Sequence, residues 1–262
     1  MTKTNTYLEF GLIKGAKKIP YDIRENQEAY EFFMVARYLK DVISYRKGNI
    51  KNVHHKEDLQ DSIKKYTALC VCKNFSKSLV YYEAGSSLMG VIDSLEYINN
   101  SLHKLCIKDI EFIGVDNSDM MNLVATYMHE GYKLKLYKKI KIVKCNLFFA
   151  KGVSLLYIFD DEKFFSRVLK NSKIAIFDYT FSLKDSIKDF VGTGKPVTFL
   201  SLNKCKEYLK GKNKILILNT SNRIDNKDKN KVTYECIYGD NLIVNRYLEE
   251  LDKNFKSFVH VK

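Results

Sequence analysis

A chain of 262 residues that is 45% hydrophobic and 13% aromatic can bury one large core, and no apolar run in it approaches the ~20 residues that cross a bilayer. Its net charge of +13 comes from 38 Lys and only 6 Arg spread along the chain, which describes a solvated surface and weighs against a nucleic-acid partner, for which clustered arginine forks onto phosphates and base edges. Six scattered cysteines without a CxxC pair, and the adjacent His54 and His55, give no disulfide framework and no zinc-ligand spacing, so no metal is expected.

The first residues, MTKTNTYLEFGLIKG, lack the apolar h-region of a signal peptide, and a cytoplasmic location is expected. Residues 26–46, NQEAYEFFMVARYLKDVISYR, place Tyr30, Phe33, Met34, Arg37, Tyr38 and Leu39 at three- and four-residue spacings. That predicts an amphipathic helix, ended by Lys47-Gly48-Asn49. A second helix is predicted over 55–70. Residues 1–75 are expected to form an N-terminal helical cap on a main domain spanning 76–262.

From residue 76 strands and helices alternate. LVYYE (79–83) predicts a buried strand, and SLMGVIDSLEYINNSL (87–102) a helix. IEFIGVD (110–116) is a second strand, followed by a helix over SDMMNLVATYMHEG (118–131). YKLKLYK (132–138) and CNLFFA (145–150) are the third and fourth strands; a helix near 160–170 and a fifth strand, KIAIFDY (173–179), follow. This alternation is that of an α/β protein with a mostly parallel sheet wrapped by helices. KILILNT (214–220), a polar tip and VTYECIYG (232–239) then form a C-terminal hairpin, which adds an antiparallel edge.

In such a sheet ligands bind outside the carboxyl ends of the strands, near the point where strand order reverses. Two acids fall there: Glu83 ends the first strand and Asp116 the second. Gly85 permits close backbone approach after the first strand, and the following helix N-terminus attracts anionic groups. A carboxylate after the second strand suits the paired hydroxyls of a ribose. A dinucleotide fold would need G-x-G-x-x-G in the first turn, and Gly85 with Gly90 cannot build that phosphate cradle.

EAGSS, followed about thirty residues later by GVDNS, resembles the first two motifs of class I S-adenosylmethionine (SAM)-dependent methyltransferases, over roughly residues 76–240. Two departures stand out: Ser87 takes the place of the second motif glycine, and residues 139–144 are too few for the usual helix between strands three and four. The resemblance implies a Rossmann-like class I methyltransferase fold and SAM as cofactor, with S-adenosylhomocysteine (SAH) as product. It also implies cofactor contacts from Glu83, Gly85, Ser86, Asp116, Asn117 and Ala150. It places the methyl acceptor over strands four and five beneath the cap, where Lys151, Ser154, Tyr157, Asp178, Tyr179 and Arg46 are the candidate substrate contacts.

No catalytic residue is assigned. A general base is needed only for a neutral hydroxyl acceptor, and no histidine lies in the loops after strands four and five. This points to an anionic acceptor, or to His54 or His55 reaching in from the cap. The lysine- and asparagine-rich style, the length and the set EAGSS, GVDNS and FDYTFS are similar to small methyltransferases of bacterial capsule biosynthesis that act on the O-methyl phosphoramidate group. That narrower resemblance implies methyl transfer to a phosphoramidate oxygen, or to a sugar precursor, carried on a cytidine nucleotide. An RNA methyltransferase and a catalytically inactive SAM-binding partner subunit are the alternatives.

Overall fold

The strand–helix alternation builds one seven-stranded sheet. The computed structural model describes residues 27–49, 59–151, 156, 158–190, 196–220 and 229–260, and begins with helices α1 (Gln27–Arg46) and α2 (Leu59–Lys73). Next come β1 (Val80–Ala84), α3 (Val91–Leu102), β2 (Glu111–Val115), α4 (Asp119–Met128), β3 (Lys133–Tyr137) and β4 (Cys145–Ala150). After α5 (Glu162–Lys170) and β5 (Ser172–Ser182), a separate ribbon of β6 (Ile187–Phe190) and β7 (Pro196–Phe199) leads to α6 (Leu202–Leu209). The hairpin of β8 (Lys214–Thr220) and β9 (Lys231–Asp240) precedes α7 (Asn241–His260).

The sheet order is β3-β2-β1-β4-β5-β9-β8. Strands β1 to β5 are parallel, and β9 runs antiparallel to both β5 and β8. Central strands covered on both faces need apolar side chains at every position. VYYEA and CNLFFA accordingly bury nearly every residue, whereas KLKLY of the edge strand β3 stays largely open to solvent. Tyr81, Phe112, Leu147, Phe149 and Ile176 form the core on the face covered by α2, α3 and α7, and Tyr82, Phe148, Phe177 and Tyr179 form the core on the face covered by α5 and α6. Strand order reverses between β1 and β4, so a crevice opens at their carboxyl ends. Among the described residues no helix is long and apolar enough to cross a membrane.

The predicted helix at 87–102 begins later, at Val91, because Ser87 (φ 51°) and Met89 (φ 53°) adopt left-handed backbone that breaks the helix. Residues 139–144 contain no helix, as their number dictates. Helix α2 is part of the main core: its Ile63, Tyr66, Leu69 and Cys72 are at most 1% exposed. Helix α1 packs mainly on α3 and α4.

Gly239 marks the closest approach of β9 to β5. A Cβ there would lie 2.3 Å from the Lys173 carbonyl oxygen and 2.9 Å from Ile174 Cα. Backbone atoms cannot swing aside, so Gly239→Ala is expected to cost upwards of ~2 kcal/mol. Thermal unfolding checks this, with Gly211→Ala, where a Cβ would meet only the flexible Lys214 side chain at 3.3 Å, as the milder control.

Candidate functional site

The turn after β1 is the most constrained backbone near the crevice. Gly85 has φ 68°, and the non-glycine residues Ser87 and Met89 are left-handed as well, conformations that cost of order 1 kcal/mol each and persist where surrounding bonds over-determine them. Those bonds are Ser86 N–H to Val115 O (2.9 Å) and Met89 N–H to Ser86 O (2.9 Å). Gly114 in β2 clears the space, since a Cβ there would meet Ser86 Oγ at 2.6 Å and Met89 Sδ at 2.7 Å. Ser86 is buried, its Oγ has no hydrogen-bond partner, and it lines the cleft above the turn. A buried hydroxyl left unsatisfied calls for a ligand atom or a water.

Asp116 joins the two motifs directly. Its Oδ2 accepts from Ser87 N–H at 3.0 Å, and its Oδ1 accepts from Ser118 N–H at 3.0 Å. Ser118, not Asp116, caps α4, with its Oγ accepting from Met121 N–H. Asp116 thus holds the strained turn while remaining partly open beside the exposed Asn117. Each of its oxygens retains a second lone pair for a ligand hydroxyl.

Glu83 answers differently from the sequence expectation. It is 0% exposed beneath the turn, 3.4 Å from Lys65 Nζ of α2, and it accepts from Tyr81 Oη–H at 2.7 Å. Lys65 also lies over the Phe149 ring, 4.2 Å from its centroid. Glu83 is therefore withdrawn from the cleft and ties β1 to α2. Ala150 is likewise buried, with its methyl in the core and only its backbone at the strand end.

Helix α1 closes the cleft from above. Tyr38, Asp41, Val42 and Tyr45, one face at helical spacing, oppose Ser86, Ser87, Leu88 and Gly90. The cavity between them is about 10 Å³, room for about one water. Arg46 ends the helix, but it does not reach the mouths of β4 and β5. Its Nε donates to Asp93 Oδ1 at 2.6 Å and its Nη2 to Met128 O at 2.9 Å, which pins α1 to α3 and to the end of α4.

His129 supports the same corner. Its Nε2 lies 2.9 Å from Leu88 O and therefore carries the proton, while Nδ1 is 3.8 Å from Asp93 Oδ2. Burial lowers its pKa below the ordinary 6.5, and the Asp93 carboxylate opposes that shift. With the folded value depressed, the unfolded chain takes up the proton first on acidification, so this contribution is present above about pH 6.5 and is lost below it. The stability advantage of the wild type over His129→Gln is expected to shrink between pH 7.5 and 5.5 in denaturant titrations.

The acceptor side gathers charges that the sequence only partly marked. Lys151 after β4 is ion-paired with Asp61 of α2, and Lys64 of α2 is ion-paired with Glu235 of β9 and lies 3.9 Å from Asp61. Asp178 is buried in β5 directly across from Glu235. Asp61, Lys64 and Glu235 come from elements distant in sequence, and nothing local distinguishes them. Tyr179 points to the opposite layer: its hydroxyl donates to Thr198 O at 2.8 Å, and its ring packs 4.7 Å from that of Phe181. Period two dictates this, since consecutive strand residues face opposite ways. Ser154, Tyr157, His54 and His55 lie outside the described residues.

The strand order, with one antiparallel strand between the last two neighbours, is that of the class I methyltransferase fold anticipated from EAGSS and GVDNS. No family model and no curated protein matches the chain. Among solved structures it is similar to the N-terminal domain of EvdMO1 with SAH bound, at 9% identity over 71% of this chain and 82% of that one, with a TM-score of 0.46. It is also similar to 1,6-didemethyltoxoflavin-N1-methyltransferase of Burkholderia thailandensis bound to its named substrate and SAH (12% identity, 80% of this chain and 89% of that one, TM-score 0.41). A third is a SAM-dependent methyltransferase of Mesorhizobium loti (9% identity, 66% and 97%, TM-score 0.40). At these identities and TM-scores the likeness is one of general fold, and the site is read from this chain's own residues.

Proposed function

We propose that this chain is a SAM-dependent methyltransferase acting on a small molecule. The observation that carries the reading is the bond between the two motifs: Asp116 at the end of β2 grips Ser87 N–H in the turn after β1, at the edge where strand order reverses. The residues fit the cofactor, because the orphaned Ser86 hydroxyl and the partly open Asp116 carboxylate present polar atoms at this edge. Gly85 and Ser86 would hold its amino-acid end, Asp116 and Asn117 its ribose, and the Ala150 backbone would border it. When bound, SAM supplies an electrophilic methyl group on a sulfonium, so alignment of the acceptor accounts for much of the rate.

That alignment falls to the charges at the ends of β4, β5 and β9. Lys151 and Lys64, each held by a carboxylate, can turn an ammonium toward an acceptor anion, while Asp61, Asp178 and Glu235 can accept from its donors. These groups would suit a small molecule that carries both an anionic group and hydrogen-bond donors. The finer reading is O-methylation of a phosphoramidate or sugar precursor linked to a cytidine nucleotide in capsule biosynthesis. It is supported by the sequence resemblance and by an acceptor oxygen that, being anionic, needs no general base. Methyl-labelled SAM supplied with cytidine-linked phosphoramidate, cytidine-linked sugars or RNA tests it. Label is expected on a small molecule. Label on RNA would replace the acceptor class, and SAH binding without transfer to any of the three would indicate a partner subunit.

A further inference from the structure

Four segments meet behind the β1 turn through a connected set of side-chain contacts. Arg46 at the end of α1 donates from Nε to Asp93 Oδ1 of α3 at 2.6 Å and from Nη2 to Met128 O at the end of α4 at 2.9 Å. His129, the next residue, presents Nδ1 to the same Asp93 at 3.8 Å and donates from Nε2 to Leu88 O at 2.9 Å. Leu88 lies between the left-handed Ser87 and Met89 and lines the cleft. The imidazole is buried, with the Tyr132 ring edge-on to it at 6.3 Å between centroids.

His129 forgoes a stronger bond to keep the one on Leu88. Its Nδ1 and Asp93 Oδ2 are both buried acceptors, and among the described residues neither has a hydrogen-bond partner. The other neutral tautomer would put the proton on Nδ1, facing a carboxylate, and would leave Leu88 O opposite a bare Nε2. Two buried acceptors that face each other persist only where something else fixes the ring, and here the fixed contact is the turn. We infer that His129 is a positioning residue for the cofactor. It holds the Leu88 carbonyl, and with it the backbone of the β1 turn, while Arg46 links that turn through Asp93 and Met128 to the seating of α1. The inference rests on the proposed function and deepens it, by adding to the turn a support that lies outside both motifs. A side chain that braces binding groups from behind acts through the geometry it enforces, so its loss reaches affinity without any contact with the ligand.

Calorimetric titration of the full chain with SAH tests this on wild type, His129→Asn, His129→Gln, Arg46→Met and the double variant His129→Asn with Arg46→Met, each below its melting temperature. His129→Asn removes the donor at the Nε2 position and is expected to weaken SAH binding about fivefold, the loss of one neutral hydrogen bond. His129→Gln carries an amide N–H to that position and should recover most of the affinity. Arg46→Met should weaken binding as well, and the double variant by less than the product of the two losses, because both act on one turn. An unchanged Kd in His129→Asn with a lowered melting temperature would reduce the ring to core packing and overturn the role. Equal losses in the Asn and Gln variants would overturn the Leu88 bond as its basis, and a double-variant loss equal to the product would overturn the link to α1. Wild type that does not bind SAH sinks the methyltransferase reading itself, an outcome distinct from the other three.

Discussion

Asp116→Ala is expected to weaken SAH binding by at least tenfold. A hydrogen bond to a charged group contributes about 1.5–3 kcal/mol, and 1.4 kcal/mol is a factor of ten in Kd. The side chain also anchors Ser87 N–H and Ser118 N–H, so the variant should melt lower as well. Ser118→Ala separates the two effects. It removes the α4 cap, at about 1 kcal/mol of stability, and leaves the Asp116 carboxylate in place. Titration and melting of both variants should show matched losses of stability and a loss of affinity confined to Asp116→Ala. An unchanged Kd in that variant would reduce Asp116 to a turn-holding residue.

The largest loss of stability is expected at the pair beneath the turn. Lys65 and Glu83 are both fully buried, and removing one partner leaves an uncompensated charge in a dry site, at about 3–5 kcal/mol. Lys65→Met should show that loss in denaturant unfolding. The double variant Lys65→Met with Glu83→Gln should recover much of it, because a neutral amide oxygen can still accept from the Tyr81 hydroxyl, which now lies 2.7 Å from Glu83 Oε2. A double-mutant cycle measures the coupling directly. Strictly additive effects would show that the two side chains do not depend on each other.

The pair also shows where sequence reasoning stops. LVYYE and CNLFFA announce themselves because strands buried on both faces leave no polar gaps, and the hairpin is legible from two apolar runs around a polar tip. An apolar run ending in an acid looks the same whether the acid meets solvent or a buried lysine eighteen positions earlier, so Glu83 pointed to the cleft and turned out to lie beneath it. Helical periodicity placed Tyr38 on the apolar face of α1. Asp41, on the same stripe, is indistinguishable in sequence from a solvated polar residue until the turn opposite it is seen. Arg46 and Tyr179 show a related limit: the sequence placed their elements, but their partners Asp93 and Thr198 are set by tertiary packing. Helix α7 was passed over among abundant lysines, although Val244 and Tyr247 are buried against the same core as β1.

The central claim, a SAM site built on the β1 turn and Asp116, is tested most directly by an equilibrium titration of the purified chain with SAH, with NADP as the competing ligand class and melting followed in parallel. The account predicts saturable SAH binding and, at 100 times its Kd, a stabilisation of about 2.7 kcal/mol, with no response to NADP. A shift with NADP and none with SAH would contradict it.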